Sequence, residues 1–405
     1  MTRTFASFAV RNYRLLFFGS LTSNVGTWMA RVAQDWLVLT RLTDHSATDL
    51  GLITALQFAP GLLLSPLAGA AADRFSKRRI MMITQSGSAA VFAVLTLLVA
   101  TGAVRLWQVY ASAAIAGALW AFDAPARQAF VSEVVSDDLL GNAVGLNSAS
   151  FNGARLLGPG LAGLMIAWVD IWPVFAVNTL SYLAVLLGLF AMRSDQLRPA
   201  PVYRGRGAIR EGLAYVRGRP DLQLLLFCVF MLGTFGLNFQ ITNALMATQV
   251  FGVGPEGYGL LGSAMAAGTL AAALLAARRR RPRLRLVVGA LAGFAVMTTV
   301  LALAPAYWVY ALLLVPVGLA SLTVMTAANT TVQLTTAPQM RGRVMSLYMA
   351  IFAGGTPLGA PLIGWVGDAW GPRWTLLVGA IGTGLAALSA AAYVWHRMGR
   401  PFRLR

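Results

Sequence analysis

Four charged side chains stand inside otherwise apolar runs, Arg31, Asp35, Asp123 and Arg155, and Arg127 stands at the loop end of the fourth run. Charge at the centre of a membrane helix costs about 2.5–3.5 kcal/mol on insertion scales, so such residues are functional candidates by default. Arg31/Asp35 and Asp123/Arg127 are each four residues apart, one helical turn, and each couple can pair. A carboxylate at that depth can exchange a proton as its access changes side. Burial disfavours its charge and a neighbouring arginine favours it, so movement of Arg31 relative to Asp35 would act as a switch. Asp35, with Arg31 beside it, is the first candidate for proton coupling and Asp123 the second. The plain alternative is a static ion pair holding helices together. For Asp123 and Arg127, with Pro125 between them, a gating or structural role is the stronger expectation. Arg155, near the middle of its run, must face a cavity or an acid, and Asp123 and Asp35 are the acids in view.

Neutral polar residues follow the same spacing. Asn24, Thr27/Trp28, Arg31 and Gln34/Asp35 fall on one helical face. Further stripes hold Asn238 and Thr242, then Thr323, Thr326, Thr330 and Gln333, with Gln57 and Asn152 besides. Such residues either bond helix to helix or line a cavity. Trp28, Trp120, Phe235 and Phe239 can stack on an amphipathic solute or simply pack. The expected substrate cavity comprises Asn24, Trp28, Gln57, Trp120, Asn152, Arg155, Phe235, Asn238, Thr242, Thr326 and Thr330. Enzyme chemistry has no foothold. One cysteine (Cys228) and two histidines (His45, His396) give no disulfide framework and no metal cluster. Gly254-Pro-Glu-Gly-Tyr-Gly lacks the Lys-Ser/Thr that would hold phosphate.

The elements that carry these residues are membrane helices. Of 405 residues, 58% are hydrophobic and 11% charged, and the mean hydropathy is +0.68. A soluble domain carries about 25% charge, so this composition cannot cover a water-facing surface. A crossing needs about 20 apolar residues. Twelve runs meet that need, at 15–40, 50–72, 79–101, 106–130, 141–168, 172–192, 222–250, 257–277, 286–304, 307–334, 344–367 and 374–395. The expected fold is all-α and integral to the membrane, with twelve helices in two six-helix bundles. Residues 1–192 form one bundle, 193–221 a basic linker, 222–396 the second bundle and 397–405 a tail. The stretch Ile209–Val216 is amphipathic enough for a short interfacial helix.

The net charge of +18 sorts by side. The termini and the loops on their side hold 27 of the 32 basic residues, and the opposite loops hold Arg41, Arg105 and Arg373. Both termini are therefore expected in the cytoplasm. Runs such as Arg278–Arg281 then serve topology and contact with anionic lipid headgroups, and nucleic acid is not an expected partner. No Ala-x-Ala-like cleavage site follows the first run, which is expected to be a retained span.

The two halves are related. A shift of 201 residues aligns Gly141/Gly342, Leu146/Leu347, Gly153/Gly354, Leu157/Leu358, Gly158/Gly359 and Gly163/Gly364. Such repeats mark secondary transporters, whose site lies at the repeat interface near the membrane midplane. Gly69-Ala-Ala-Ala-Asp73-Arg74-Phe-Ser76-Lys77-Arg78-Arg79 resembles the loop 2–3 signature of the major facilitator superfamily, with Ser76 in place of a glycine. Ala154-Arg155-Leu-Leu-Gly158-Pro159-Gly160-Leu-Ala162-Gly163 is similar to the antiporter motif of that superfamily, with Ala154 and Ala162 in place of glycines. Asn12-Tyr-Arg-Leu-Leu, Arg31-x-x-Gln34-Asp35-Trp36, Asp123-x-Pro125-x-Arg127 and Asn147-Ser148-Ala-Ser resemble its enterobactin-exporter-like branch of siderophore and drug exporters.

That resemblance implies a cytoplasmic gate at Gly69, Asp73, Arg74, Lys77, Arg78 and Arg127, with close helix approach at Gly69. It implies proton-coupled export through the motif of Gly158, Pro159 and Gly163, and a cavity lined by spans 1, 4, 7 and 10. The expected protein is a bacterial inner-membrane exporter, acting as a monomer on a small amphipathic compound and driven by the proton motive force with no bound cofactor. Uptake, lipid flipping and a non-transporting scaffold or sensor are the rivals, and the inward polar stripes speak against the scaffold.

Overall fold

The computed structural model describes residues 3–198, 208–277 and 284–398. The run Arg278–Arg281, linker residues 199–207 (with Arg204 and Arg206) and the tail beyond residue 398 lie outside them. The described residues are helical and contain no strand. In chain order the helices are α1 (Arg11–Leu37), α2 (Ala47–Arg74), α3 (Lys77–Ala100), α4 (Leu106–Val134), α5 (Asp137–Trp168) and α6 (Trp172–Ala191). Then come α7 (Ala208–Arg217), α8 (Pro220–Met231), α9 (Phe239–Leu245), α10 (Pro255–Ala277), α11 (Leu284–Ala302), α12 (Tyr307–Thr335), α13 (Arg341–Trp370) and α14 (Pro372–Met398). The expected interfacial helix is α7, whose Glu211 pairs with Arg343.

Nine segments among the described residues are long and apolar enough to cross a bilayer, with Pro220–Val250 (α8 and α9) counted as one. The first, fourth and fifth expected spans fall short of that measure, although α1, α4 and α5 are 27, 29 and 32 residues long. The reason is their cargo: these helices carry Arg31 and Asp35, Asp123 and Arg127, and Asn152 and Arg155, which lower their hydropathy.

Turn chemistry sets the connections. Gly371, at φ 92°, ends α13 and Pro372 opens α14, which follows the rule of glycine after one helix and proline at the start of the next. π-helical turns occupy Val38–Leu42 after α1, and Leu232–Gly236 and Met246–Val250 on either side of α9.

The chain forms two compact units. The first holds Met1–His45, Leu56–Arg204 and Val253–Ser263; the second holds Ser46–Ala55, Gly205–Gly252 and Ala264–Arg405. Two short segments thus cross the division expected at the linker: the start of α2 belongs with the second half, and the start of α10 with the first. In the first unit α1 packs on α5 and α6, and α3 on α4 and α6. One apolar core there gathers Tyr13, Leu16, Met81, Phe130 and Leu189. In the second unit α11 packs on α12 and α14, and α13 lies against α7, α8 and α14.

Two of the four repeated glycine pairs make the crossing contacts, while Gly141, Gly153 and Gly342 have open space beside them. A methyl group at Gly163 would strike the Pro255 carbonyl at the start of α10, and one at Gly364 would strike the Ala47 carbonyl at the start of α2. Likewise Gly158 sits against Trp28 of α1, and Gly359 against the Thr234 carbonyl after α8. Small residues let helix backbones approach this closely, and the duplication repeats the device in each unit. In the second unit Asp368 adds a cap: its carboxylate accepts from the Ala47 and Thr48 backbone N–H groups at 2.7 and 2.8 Å, satisfying donors left open at the start of α2.

Candidate functional site

Helix α1 supplies the polar stripe of the first unit, and Gln34 and Asp35 near its C-terminal end are buried. Gln34 donates to Ser112 of α4 at 3.3 Å and accepts from Gln57 of α2 at 3.1 Å. Asp35 is wholly buried, and its carboxylate accepts from the Tyr258 hydroxyl of α10 at 2.7 Å. The ring of Tyr258 stacks on Trp36, with centroids 6.1 Å apart.

The expected Arg31–Asp35 ion pair is absent among the described residues. Asp35 turns to Tyr258, and the Arg31 guanidinium instead lies 4.8 Å from the Trp28 ring centroid and 5.1 Å from that of Phe58. The two charges remain within electrostatic reach of each other. Arg155 meets neither Asp35 nor Asp123. Its guanidinium lies 5.7 Å from the same Trp28 ring, because α5 approaches α1 at Gly158 and brings the arginine over the indole. Asn24 is half-buried. Phe151 meets Trp28 edge-on at 5.9 Å.

Asp123 and Arg127 do pair, at 2.8 Å. The Asp123 carboxylate also accepts from Thr84 at 2.8 Å and Gln85 at 2.9 Å, and Arg127 donates to Ser20 at 2.7 Å. This hub ties α1, α3 and α4 together with its carboxylate well satisfied, which suits a structural or gating role.

The loop between α2 and α3 differs in part from its expected contacts. A methyl group at Gly69 would meet nothing within 4 Å among the described residues, so the expected close helix approach is not seen there. Asp73 and Arg74 are exposed and form no ion pair among the described residues. Lys77 pairs with Glu133 of α4 at 3.0 Å. Arg78 donates to the Leu189 carbonyl at 2.6 Å and to Ser194 at 2.7 Å. The basic end of the loop is thus anchored inside its own unit, while the acid is not.

Other expected cavity residues are placed differently. Trp120 is 48% exposed and lies over Gly61. Asn152 bonds back to the Ser148 carbonyl of its own helix. Thr326 does the same toward Leu322, and Thr330 is half-buried beside it. In the second unit Phe235 packs on Gly379 and Gly382. Together with Asn238, Thr242, Thr298 and Thr375 it lines a small cleft. Thr242 accepts from Thr375 at 3.0 Å, and the buried Asn238 Oδ1 and Thr298 Oγ1 have no protein partner among the described residues. Pro159 of the antiporter-like motif faces Gly259, and Ser263 donates to the Leu156 carbonyl at 2.6 Å. The motif therefore holds α5 against the start of α10, the turn that delivers Tyr258.

Tyr258, Glu133 and Asp368 are site residues that the sequence reading did not single out. Tyr258 stands in the glycine-rich Gly254–Gly259 segment, whose pattern resembles a phosphate loop without its Lys-Ser/Thr. Its signal was a lone hydroxyl at the head of an apolar span.

Helices with buried polar contacts and repeated halves, together with the family match and relatives below, make this a transporter of the major facilitator type. The fold is shared with a solved bacterial homolog of the human lysosomal transporter Spinster, in an inward-facing and unoccupied conformation. The TM-score is 0.78 and identity 14%, with 98% of each chain covered, a likeness that shows the fold alone. The model of the transmembrane secretion effector family matches residues 2–399, and the chain belongs to that family. It is 30% identical to the multidrug efflux pump Tap of Mycolicibacterium fortuitum over 90% of this chain and 91% of the pump. It is 33% identical to the staphyloferrin A transporter of Staphylococcus aureus over 44% of each. The chain spans less than two thirds of the length of two of the curated relatives it matches.

Proposed function

We propose that the protein is a proton-coupled exporter of a small amphipathic compound, held in the bacterial inner membrane with both termini in the cytoplasm. The observation that carries this reading is the Asp35–Tyr258 contact. A wholly buried carboxylate on the first span accepts from a hydroxyl, with the charge of Arg31 within electrostatic reach. A phenol can donate to the carboxylate or accept from the protonated acid, so one site accommodates either state. One proton moving through 100 mV supplies about 2.3 kcal/mol, enough to drive solute accumulation. The likeness to Tap over nearly the whole chain supports export over uptake.

The test uses the full chain in proteoliposomes. Extrusion of compounds drawn from a panel of amphipathic dyes and antibiotics is followed with and without an imposed pH gradient. Wild type is expected to respond to the gradient, and Asp35→Asn to lose that response. Gradient-dependent extrusion at the wild-type rate in Asp35→Asn would remove Asp35 from the coupling role. If expression in a pump-deficient host lowers the toxicity of no compound, the export reading loses its main support.

A further inference from the structure

Two cations sit at one indole in the first unit. The guanidinium groups of Arg31 and Arg155 lie 4.8 and 5.7 Å from the Trp28 ring centroid. Neither makes an ion pair or a hydrogen bond among the described residues. The acids on the neighbouring helices are engaged elsewhere: Asp35 of α1 by Tyr258, and Asp123 of α4 by Arg127, Thr84 and Gln85. Tyr182 of α6 meets Thr27. Intramembrane cations normally pair or face a water-filled path, and like charges brought to one spot repel. Both arginines are nonetheless held there, on half-buried sites, by the crossing of α5 over α1 at Gly158. Aromatic surface surrounds them: Phe58 lies under Arg31, and Phe151 stands edge-on to Trp28.

We infer that Arg31 and Arg155 form a subsite for the anionic group of an aromatic substrate, a carboxylate, sulfonate or phosphate, whose ring lies against Trp28, Phe58 and Phe151. Guanidinium groups suit this task because they present planar donor pairs to an oxyanion and also stack on rings. Asp35 acts on Arg31 only at a distance and two guanidinium charges share the indole, so the anion would supply the contact counter-charge that no resident acid brings to the pair. The inference deepens the export reading by naming the class of solute.

The test measures binding to the full chain in phosphatidylcholine nanodiscs, with three probes that share one aromatic body. N-dansylglycine carries a carboxylate, dansylamide is neutral and dansylcadaverine is a cation. N-dansylglycine is expected to bind at least about tenfold tighter than the other two. Arg31→Gln and Arg155→Gln are each expected to weaken it about tenfold or more, the scale for removing one partner of a desolvated charge pair. Arg155→Lys is expected to retain part of the affinity. Equal binding of the three probes by the wild type overturns the subsite even if a variant fails to fold. Unchanged N-dansylglycine affinity in both glutamine variants does so as well. Competitive displacement of N-dansylglycine by phosphatidylglycerol added to the disc would assign the arginines to lipid headgroups and overturn the solute assignment. Gradient-driven efflux without selective anion binding would defeat the subsite and leave the export reading standing. Selective binding without efflux would do the reverse.

Discussion

The Tyr258 hydroxyl donates to the Asp35 carboxylate at 2.7 Å, linking the head of the eighth expected span to the first across 223 residues of chain. Both groups are buried, so each is the other's replacement for water. Removing one partner leaves a desolvated polar group and costs about 1–3 kcal/mol. Tyr258→Phe and Asp35→Asn are each expected to lower the melting temperature of the purified protein. The double variant should cost less than the two losses added, with a coupling of about 1 kcal/mol or more. Strict additivity in thermal melts would show that the contact carries no stability.

The two acids near the cytoplasmic end as expected from the sequence should behave oppositely. Asp123 is bonded to Arg127, Thr84 and Gln85, and breaking a buried pair by removing one member costs about 3–5 kcal/mol. Asp73 is exposed, where substitutions stay within about 0.5 kcal/mol. Asp123→Ala should therefore melt well below wild type and Asp73→Ala close to it. Equal effects in a thermal denaturation series would contradict this division.

Three glycines give a graded test of helix approach. Gly163 and Gly364 have a neighbouring carbonyl where a methyl would go, and Gly69 has open space. Gly163→Ala and Gly364→Ala are expected to reduce both stability and transport. Gly69→Ala should be tolerated, or stabilising by up to about 1 kcal/mol through helix propensity. A transport assay paired with melting curves checks the order, and a damaging Gly69→Ala would speak for a close contact formed in another state of the transport cycle.

Asp170 lies in the turn between α5 and α6. Partial burial raises its affinity for a proton, but the Ile171 N–H and the Arg41 guanidinium together hold its carboxyl below the usual range. A depressed folded value means the contribution is present above the unfolded value of about 3.9 and fades as pH falls through the folded one. The pair is half-exposed, so it contributes at most about 1 kcal/mol. Wild type should melt slightly above Asp170→Asn at neutral pH, and the gap should close as the medium is taken below about pH 4. A gap that persists in acid would mean the carboxylate charge is not its source.

Much of the architecture was legible because the bilayer constrains sequence strongly. Apolar runs placed the helices, the arginine asymmetry set the expected orientation, and the 201-residue repeat pointed to two glycine pairs, Gly158/Gly359 and Gly163/Gly364, that make matching contacts, and to others that do not. Spacing also placed Asp123 and Arg127 as a pair, since both lie on one face of one helix. It misled for Arg31 and Asp35. Their spacing is the same, but Asp35 found a partner on a helix more than two hundred residues away, and periodicity within one run carries no information about such a partner. Glu133 and Asp368 were overlooked for the same reason: their value lies in Lys77 and in the start of α2. The cavity residues were only half legible, because a threonine or asparagine that bonds its own helix, as Asn152 and Thr326 do, has the same sequence pattern as one that faces solute.

The π turn at Val38–Leu42 begins three residues beyond Asp35, and a second such turn, Met246–Val250, closes the seventh expected span. A π turn contains one residue more than the α turn it replaces. Passing that spare residue along the helix would rotate the traversed segment by about 100° with little change in length. Span 1 therefore stores a unit of winding next to the buried carboxylate, and span 7 stores two, at Leu232–Gly236 and Met246–Val250. This is slack by which a side chain could change its bearing without unfolding the helix that carries it.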